Sequence, residues 1–137
     1  TYTPQIYFLS FHKFLKLPTF EKNKGTMKKN EMIKDRLEEW IKQKGFLNSR
    51  LTIIELCKTI GINRTYLSNY INHTYGLNFN LWLNHLRIEE AKLLMAQPPK
   101  RNLSEIAERI GFTDLAHFSK QFKLQEGVSP SEWRKNM

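Results

Sequence analysis

Cysteine is all but missing from this chain. Cys57 is the single thiol in 137 residues, which excludes an intramolecular disulfide and a cysteine-based metal cluster, and fits a reducing compartment. Acidic residues are scarce as well. Only 13 Asp and Glu stand against 22 Lys and Arg, leaving a formal charge of +9 that suits an anionic partner. No uninterrupted apolar run reaches 18 residues, so no complete membrane span is written here, and no signal peptide is visible. There is no Gly-rich phosphate loop, no nucleophile elbow and no carboxylate pair at catalytic spacing. No two histidines have metal-ligand spacing backed by carboxylates. Neither an enzyme, a cofactor nor a metal centre is therefore expected. Strand signals are missing too, which leaves an all-α fold, and an apolar fraction of 40% suffices for one small domain with an appendage. The first residue is Thr1 rather than Met, so the expectation is a piece of a longer protein.

What the chain does contain is one pattern written twice. With Gly61 set on Gly111, Thr52-Ile53-Ile54-Glu55-Leu56-Cys57 falls on Asn102-Leu103-Ser104-Glu105-Ile106-Ala107, and Ile60-Gly61-Ile62 falls on Ile110-Gly111-Phe112, an offset of 50. Past the glycine the offset becomes 51: Leu67 falls on Phe118, Ile71 on Phe122 and Gly76 on Gly127, so the second turn is longer by one residue. Each copy reads as a helix, a tight turn and a second helix. Thr52 with Glu55 makes a capping box, and Asn102 with Glu105 repeats it. Gly61 and Gly111 take the turn, where a side chain would hinder a left-handed backbone. Two such units let one molecule read two successive stretches of DNA groove.

The remaining segments arrange themselves around this repeat. Residues 1–29 are an apolar and basic N-terminal segment with a polar linker. Ile6, Phe8, Phe11, Phe14 and Phe20 mark its apolar part, and Lys22, Lys24, Lys28 and Lys29 the linker. From 30 to 137 comes the helical domain. An amphipathic helix over 30–44 has Asn30 as its cap, Ile33, Leu37, Trp40 and Ile41 as its apolar face, and Gly45 as its stop. The first unit covers about 51–76, with Asn63 capping its second helix from Arg64 to Thr74. A linker helix over 78–96 is about 28 Å long and is halted by Pro98-Pro99. The second unit covers about 102–127, its second helix running from Asp114 to Gln125. A final helix over 130–136 starts at Ser129-Pro130-Ser131-Glu132. Residues 1–50 hold eleven Lys and Arg against five Asp and Glu, and residues 51–137 eleven against eight, so +6 of the charge lies ahead of the repeat and +3 within it. Charge alone would not make a DNA-binding case; the duplicated pattern does.

From Leu51 to Arg134 the chain resembles the AraC/XylS family of bacterial transcription regulators. The second unit carries the more specific likeness: Ile106-Ala107, Ile110-Gly111-Phe112-Thr113-Asp114, His117-Phe118-Ser119-Lys120, Phe122-Lys123, Gly127-Val128-Ser129-Pro130 and Trp133-Arg134 follow the family signature. The first unit and Arg87-Ile88-Glu89-Glu90-Ala91-Lys92-Leu93-Leu94 fit as well. Leu124 departs from it, standing where a basic residue is common, and Cys57 replaces the usual Ala. The resemblance implies two homeodomain-like helix-turn-helix units joined by a long linker helix, with an extra N-terminal helix. Residues 77–87 and the helix ahead of them look most like a subgroup whose DNA-binding domain follows a multi-span membrane region, so residues 1–20 would be the juxtamembrane end. The localisation implied is cytoplasmic, as the cytoplasmic portion of a membrane-anchored protein in that subgroup.

The residues that would read DNA follow from helical geometry. With Leu67 and Ile71 turned to the core, Thr65, Ser68, Asn69 and Asn72 lie outward. The offset of 51 carries these to Ala116, Ser119, Lys120 and Lys123. The family's base-reading positions fall on the same faces and add Leu115 and His117. Asn69 can pair with adenine, Lys120 with guanine, and Thr65 and Ala116 can touch a thymine methyl. Arg64, Lys123 and Arg101 suit phosphate, which positions without specifying. Tyr66 is divided between surface packing and a phosphate contact. Leu115 lies near the core edge, where a core role competes, and for Asn69 and Asn72 the rival is ordinary solvated surface. His12, His73 and His85 read as surface or packing residues. Phe118, Phe122, Trp82 and Trp133 read as core, and Arg87 as a structural ion pair.

The function expected is sequence-specific binding of double-stranded DNA through successive major grooves, regulating transcription. Recognition helices about 34 Å apart bind one face of the duplex; a rigid spacer that misses this repeat bends the DNA. Unlike units imply an asymmetric site, and the lysines of the second predict that it carries more of the salt dependence. The resemblance adds RNA polymerase as a partner, a sensor region upstream of this chain, and dimerisation through that region or the N-terminal segment. The alternative is a helical protein- or membrane-surface interaction module built on residues 1–29.

Overall fold

A computed structural model describes residues 24–137. The apolar stretch over 1–20 and its juxtamembrane reading lie outside the described residues. The described chain is helical throughout: α1 Lys24–Lys42, α2 Ile53–Ile60, α3 Arg64–Tyr75, α4 Phe79–Ala96, α5 Leu103–Arg109, α6 Leu115–Glu126 and α7 Pro130–Lys135, with a 3-10 turn at Gly45–Leu47. It divides into two compact units. One holds α1, α2, α3 and the first turn of α4, as far as Trp82; the other holds residues 46–50 and everything from Leu83 onward.

In the first unit α1 starts at Lys24, six residues ahead of the expected cap at Asn30. The lysine-rich stretch read as a linker is helix here. Lysine is a good helix former and no proline interrupts. The face marked by Ile33, Leu37, Trp40 and Ile41, all buried, extends back through half-buried Asn30 and Thr26. The end of α1 also departs from expectation: Lys44 takes the left-handed conformation (φ 58°), not Gly45. Gly45 serves instead to let the backbone lie against the Trp40 indole, where any Cβ would collide. Helix α2 is capped by Thr52, whose hydroxyl accepts the Glu55 N–H at 3.2 Å, and Asn63 caps α3 by accepting the Tyr66 N–H at 2.8 Å. The core is filled by Leu56, Ile60, Leu67, Ile71 and a fully buried Trp82. The Trp82 ring lies nearly parallel to those of Trp40 and Tyr75, with centroids 5.7 and 5.5 Å away. Such stacked contacts add roughly 0.5–1.5 kcal/mol each beyond burial.

The second unit repeats the plan with its own fillings. Asn102 caps α5, accepting the Glu105 N–H at 2.8 Å, Asp114 caps α6, and Ser129 caps α7 ahead of Pro130. Phe112, Phe118 and Phe122 pack with Ile88, Ala91, Met95, Ile106, Ala107 and Ile110, and Trp133 closes edge-on over Phe122 at 6.0 Å. Arg87 makes no ion pair among the described residues. Its guanidinium donates to two backbone carbonyls, Phe46 and Asn48, at 2.8 Å each, so a charged group fixes the segment ahead of α2 by satisfying its carbonyls. Burial draws its pKa down to about 10, which still leaves it charged at neutral pH. Behind α6, Lys92 on α4 bridges Glu89 at 3.3 Å and Glu126 at 3.0 Å, while the Gln125 amide donates to Glu89 at 3.0 Å. Two polar links, Lys92 to Glu126 and Gln125 to Glu89, thus hold α6 to α4 within this unit.

Candidate nucleic-acid interface

Each unit presents one helix whose outer face is mostly exposed. In the first unit that helix is α3. Leu67, Ile71 and Tyr75 point inward, while Arg64, Thr65, Ser68, Asn69 and Asn72 are exposed. The Asn69 and Asn72 amides and the Thr65 and Ser68 hydroxyls have no hydrogen-bond partner among the described residues. Their donors and acceptors are therefore available to a ligand. Tyr66 stands apart from them. It is half-buried, its hydroxyl donates to the Asn30 side chain at 3.0 Å, and the Lys29 ammonium lies 4.0 Å over its ring. Tyr66 therefore faces α1 and sits at the flank of the outward face.

In the second unit the corresponding helix is α6. Phe118 and Phe122 point inward; Ala116, His117, Lys120 and Lys123 are exposed, and Ser119 is half-buried. Leu115 is 39% exposed, so it belongs to the surface and not to the core edge. The His117 imidazole stands edge-on to Phe112 with centroids 5.0 Å apart, which fixes the ring near the amino end of α6 while leaving it exposed. Asp114 accepts the His117 N–H at 2.7 Å and starts the helix. Arg101 is half-buried ahead of the Asn102 cap of α5. Leu124 is 72% exposed on α6, an apolar side chain left in water.

The turns show how one design accommodates two lengths. Gly61 (φ 82°) and Gly111 (φ 94°) both turn left-handed. From there the first chain reaches its cap at Asn63 and the second, through the additional Thr113, at Asp114. Both helices then present the same register to solvent, as the offset of 51 requires. Gly111 is held more tightly than a turn alone demands, because a Cβ there would lie 2.8 Å from the Leu47 carbonyl and 2.9 Å from Arg87 Nε.

Sequence reasoning missed two features of this interface. Lys29 and Asn30 touch α3, yet they lie 36 residues from Tyr66 at the closest and sit in a stretch whose composition reads as linker. The carbonyl partners of Arg87 have no side-chain signature at all. A face pattern that continues back through Thr26 was the one signal for the early start of α1.

Residues 56–136 match the family model described as a helix-turn-helix domain, more than half of the chain. The Msm operon regulatory protein of Streptococcus mutans is 30% identical over 89 residues, 65% of this chain and 32% of that protein. Among solved structures, the C-terminal domain of AraT, a response regulator from Geobacillus stearothermophilus, superposes with a TM-score of 0.68 at 31% identity, covering 77% of this chain and 85% of that one. The DNA-binding domain of AdpA, described as a global transcriptional factor in complex with a target DNA, has the same fold (TM-score 0.66, 19% identity, 76% of this chain and 90% of that one). The chain spans about a third of the length of the curated relatives it matches.

Proposed function

Since the chain belongs to the AraC/XylS family of helix-turn-helix transcription regulators, we propose that it binds double-stranded DNA sequence-specifically, with α3 and α6 in successive major grooves, and so regulates transcription. The observation that carries this reading is the pair of capped helices, each with an outward face of exposed side chains, most of which have no hydrogen-bond partner among the described residues. Helix-turn-helix proteins put the amino-terminal part of the second helix on base edges, and it is there that Thr65, Ser68 and Asn69, and Ala116, Ser119 and Lys120, are found.

The side chains divide the work. Asn69 pairs bidentately with adenine through N6 and N7, and Asn72 extends that face. Lys120 donates to guanine O6 and N7, and Thr65 and Ala116 meet thymine methyls. Ser68, Ser119 and His117 serve as short polar contacts and Leu115 as an apolar one. Arg64, Lys123 and Arg101 hold phosphates. The DNA-binding part is the helical domain that α1 opens at Lys24, earlier than the boundary after residue 29 expected from composition. The greater part of the relatives' length lies outside the region matched here. By the family's plan, the signal is sensed in a region upstream of this one, dimerisation runs through that region, and RNA polymerase is the partner at the promoter.

The test is selection of random duplex DNA by the 137-residue chain, with the Asn69→Ala/Lys120→Ala double variant alongside. The expected result is a bipartite motif with half-sites about 10 base pairs apart, lost in the variant while its circular dichroism and melting stay unchanged. An identical motif from the variant would remove Asn69 and Lys120 from the readout. No enrichment even at low salt would sink the reading of this chain as a DNA-binding unit.

A further inference from the structure

The outward face of α3 carries no charge except Arg64 at its first position, whereas α6 offers Lys120 and Lys123. A helix lying in the major groove has a phosphate chain along each flank, and phosphate contacts supply much of the affinity. The first head must find its cations elsewhere. From the contacts of Tyr66 we infer that the opening turns of α1 are a phosphate-binding flank of the first head, with Lys28 and Lys29 as the contacting residues. The inference rests on the DNA-binding reading above and deepens it.

Three observations place this flank. Tyr66 is the third residue of α3 and lies one turn ahead of Asn69, at the end of the helix that meets base edges. Its ring carries the Lys29 ammonium at 4.0 Å, and its hydroxyl donates to Asn30 at 3.0 Å, so the start of α1 is fixed beside the base-reading end of α3. Farther along, Arg36 donates to the Ile60 carbonyl at the turn of the same unit, so α1 is held to this unit at a second point. Lys28 and Lys29 are both exposed, and Lys28 has no partner among the described residues. A ring face takes up only part of an ammonium's three N–H donors, which leaves the Lys29 ammonium positioned and open to an anion. Neither lysine falls within the region matched by the family model, which starts at residue 56.

The experiment is a salt titration of binding to a random-sequence duplex and to the duplex recovered by selection, for the full chain and for Lys28→Ala, Lys28→Ala/Lys29→Ala, Tyr66→Phe and Lys42→Ala. Removing one lysine–phosphate pairing lowers the slope of log affinity on log salt by about 0.9. The double variant is expected to lose about 1.8 in slope, on both duplexes alike. Its disadvantage against the wild type then shrinks about tenfold between roughly 50 and 200 mM salt. Lys28→Ala should lose half of that slope with melting unchanged. Lys42 is exposed at the other end of α1, about 20 Å along the helix from Lys29, beyond the screening length, and its removal should leave the slope alone. Tyr66→Phe keeps the ring under the ammonium and should also keep the slope.

A double variant whose slope equals the wild type's overturns the inference, whether or not its melting falls. An equal loss in Lys42→Ala overturns it too, by reducing the effect to net charge. If the wild-type chain binds no duplex at low salt, the DNA-binding reading itself has failed. If the wild type binds and Lys28→Ala and the double variant keep its slope, only the flank has.

Discussion

A single methyl group added at Gly111 meets two obstacles at once. The backbone there is left-handed at φ 94°, a conformation that L side chains rarely adopt. The new Cβ would also lie 2.8 Å from the Leu47 carbonyl and 2.9 Å from Arg87 Nε, the nitrogen that donates to the Phe46 carbonyl. Gly127 has a similar φ of 82° with nothing near its Cβ position. Gly111→Ala is therefore expected to destabilise by roughly 2–3 kcal/mol and Gly127→Ala by about 1 kcal/mol, read as the difference in midpoint of urea unfolding; equal losses would show that the contact with Arg87 carries no weight. His85 provides a second test at this scale. It is buried in the second unit, where burial first, with the Lys92 charge adding to it, pulls its pKa to about 4 against 6.5 when free. The unfolded chain therefore binds the extra proton between these values. Stability is full above about pH 6.5 and falls as the pH drops toward 4, by up to about 3 kcal/mol. His85→Gln should flatten the melting temperature over this window; an unchanged slope would clear His85 of the effect.

At the scale of the element, what the sequence made legible and what it hid follow from how local each cause is. The starts of α2, α3, α5 and α7 were readable because Thr52, Asn63, Asn102 and Ser129 cap them, and a cap acts within three residues. The outward faces of α3 and α6 were readable because the period of 3.6 fixes them once Leu67, Ile71, Phe118 and Phe122 turn inward. The start of α1 was not, since Lys28 and Lys29 look like solvated linker until the contact with Tyr66 is known. Nor was the role of Arg87, whose partners are carbonyls of Phe46 and Asn48 and so are independent of side-chain identity. Asp114 shows what a cap can do beyond starting a helix. Its carboxylate accepts the His117 N–H at 2.7 Å and is exposed at the amino end of α6, where the proposed base contacts lie. Asp114→Ala removes the acceptor and should lower stability by about 1 kcal/mol. Asp114→Asn keeps the cap, as Asn63 does in α3, and deletes a negative charge beside the proposed DNA contacts. It should leave the melting temperature within a degree or two of wild type and raise affinity a few-fold at low salt. An affinity gain in the Asn variant that survives high salt would point to something other than charge.

For the whole molecule the decisive property is that its two heads are built alike and equipped differently. Both have a capped first helix, a left-handed glycine and a capped second helix, yet α3 offers Thr65, Ser68, Asn69 and Asn72 where α6 offers Ala116, Ser119, Lys120 and Lys123. A palindromic site would ask the same question of both heads, and they cannot give the same answer. One chain should thus favour an asymmetric site, with adenines under the first head and guanines under the second. Exchanging the two half-sites of the selected duplex at unchanged spacing keeps every base and every phosphate but presents each head with the other's sequence. Each mispaired base costs about 1–3 kcal/mol, so affinity should fall on the order of 100-fold or more, toward that for random duplex. The salt slope should change little, since the phosphates remain in place. A swapped duplex that binds as well as the original would mean that one head does the reading and that the second copy of the pattern serves only to hold the backbone.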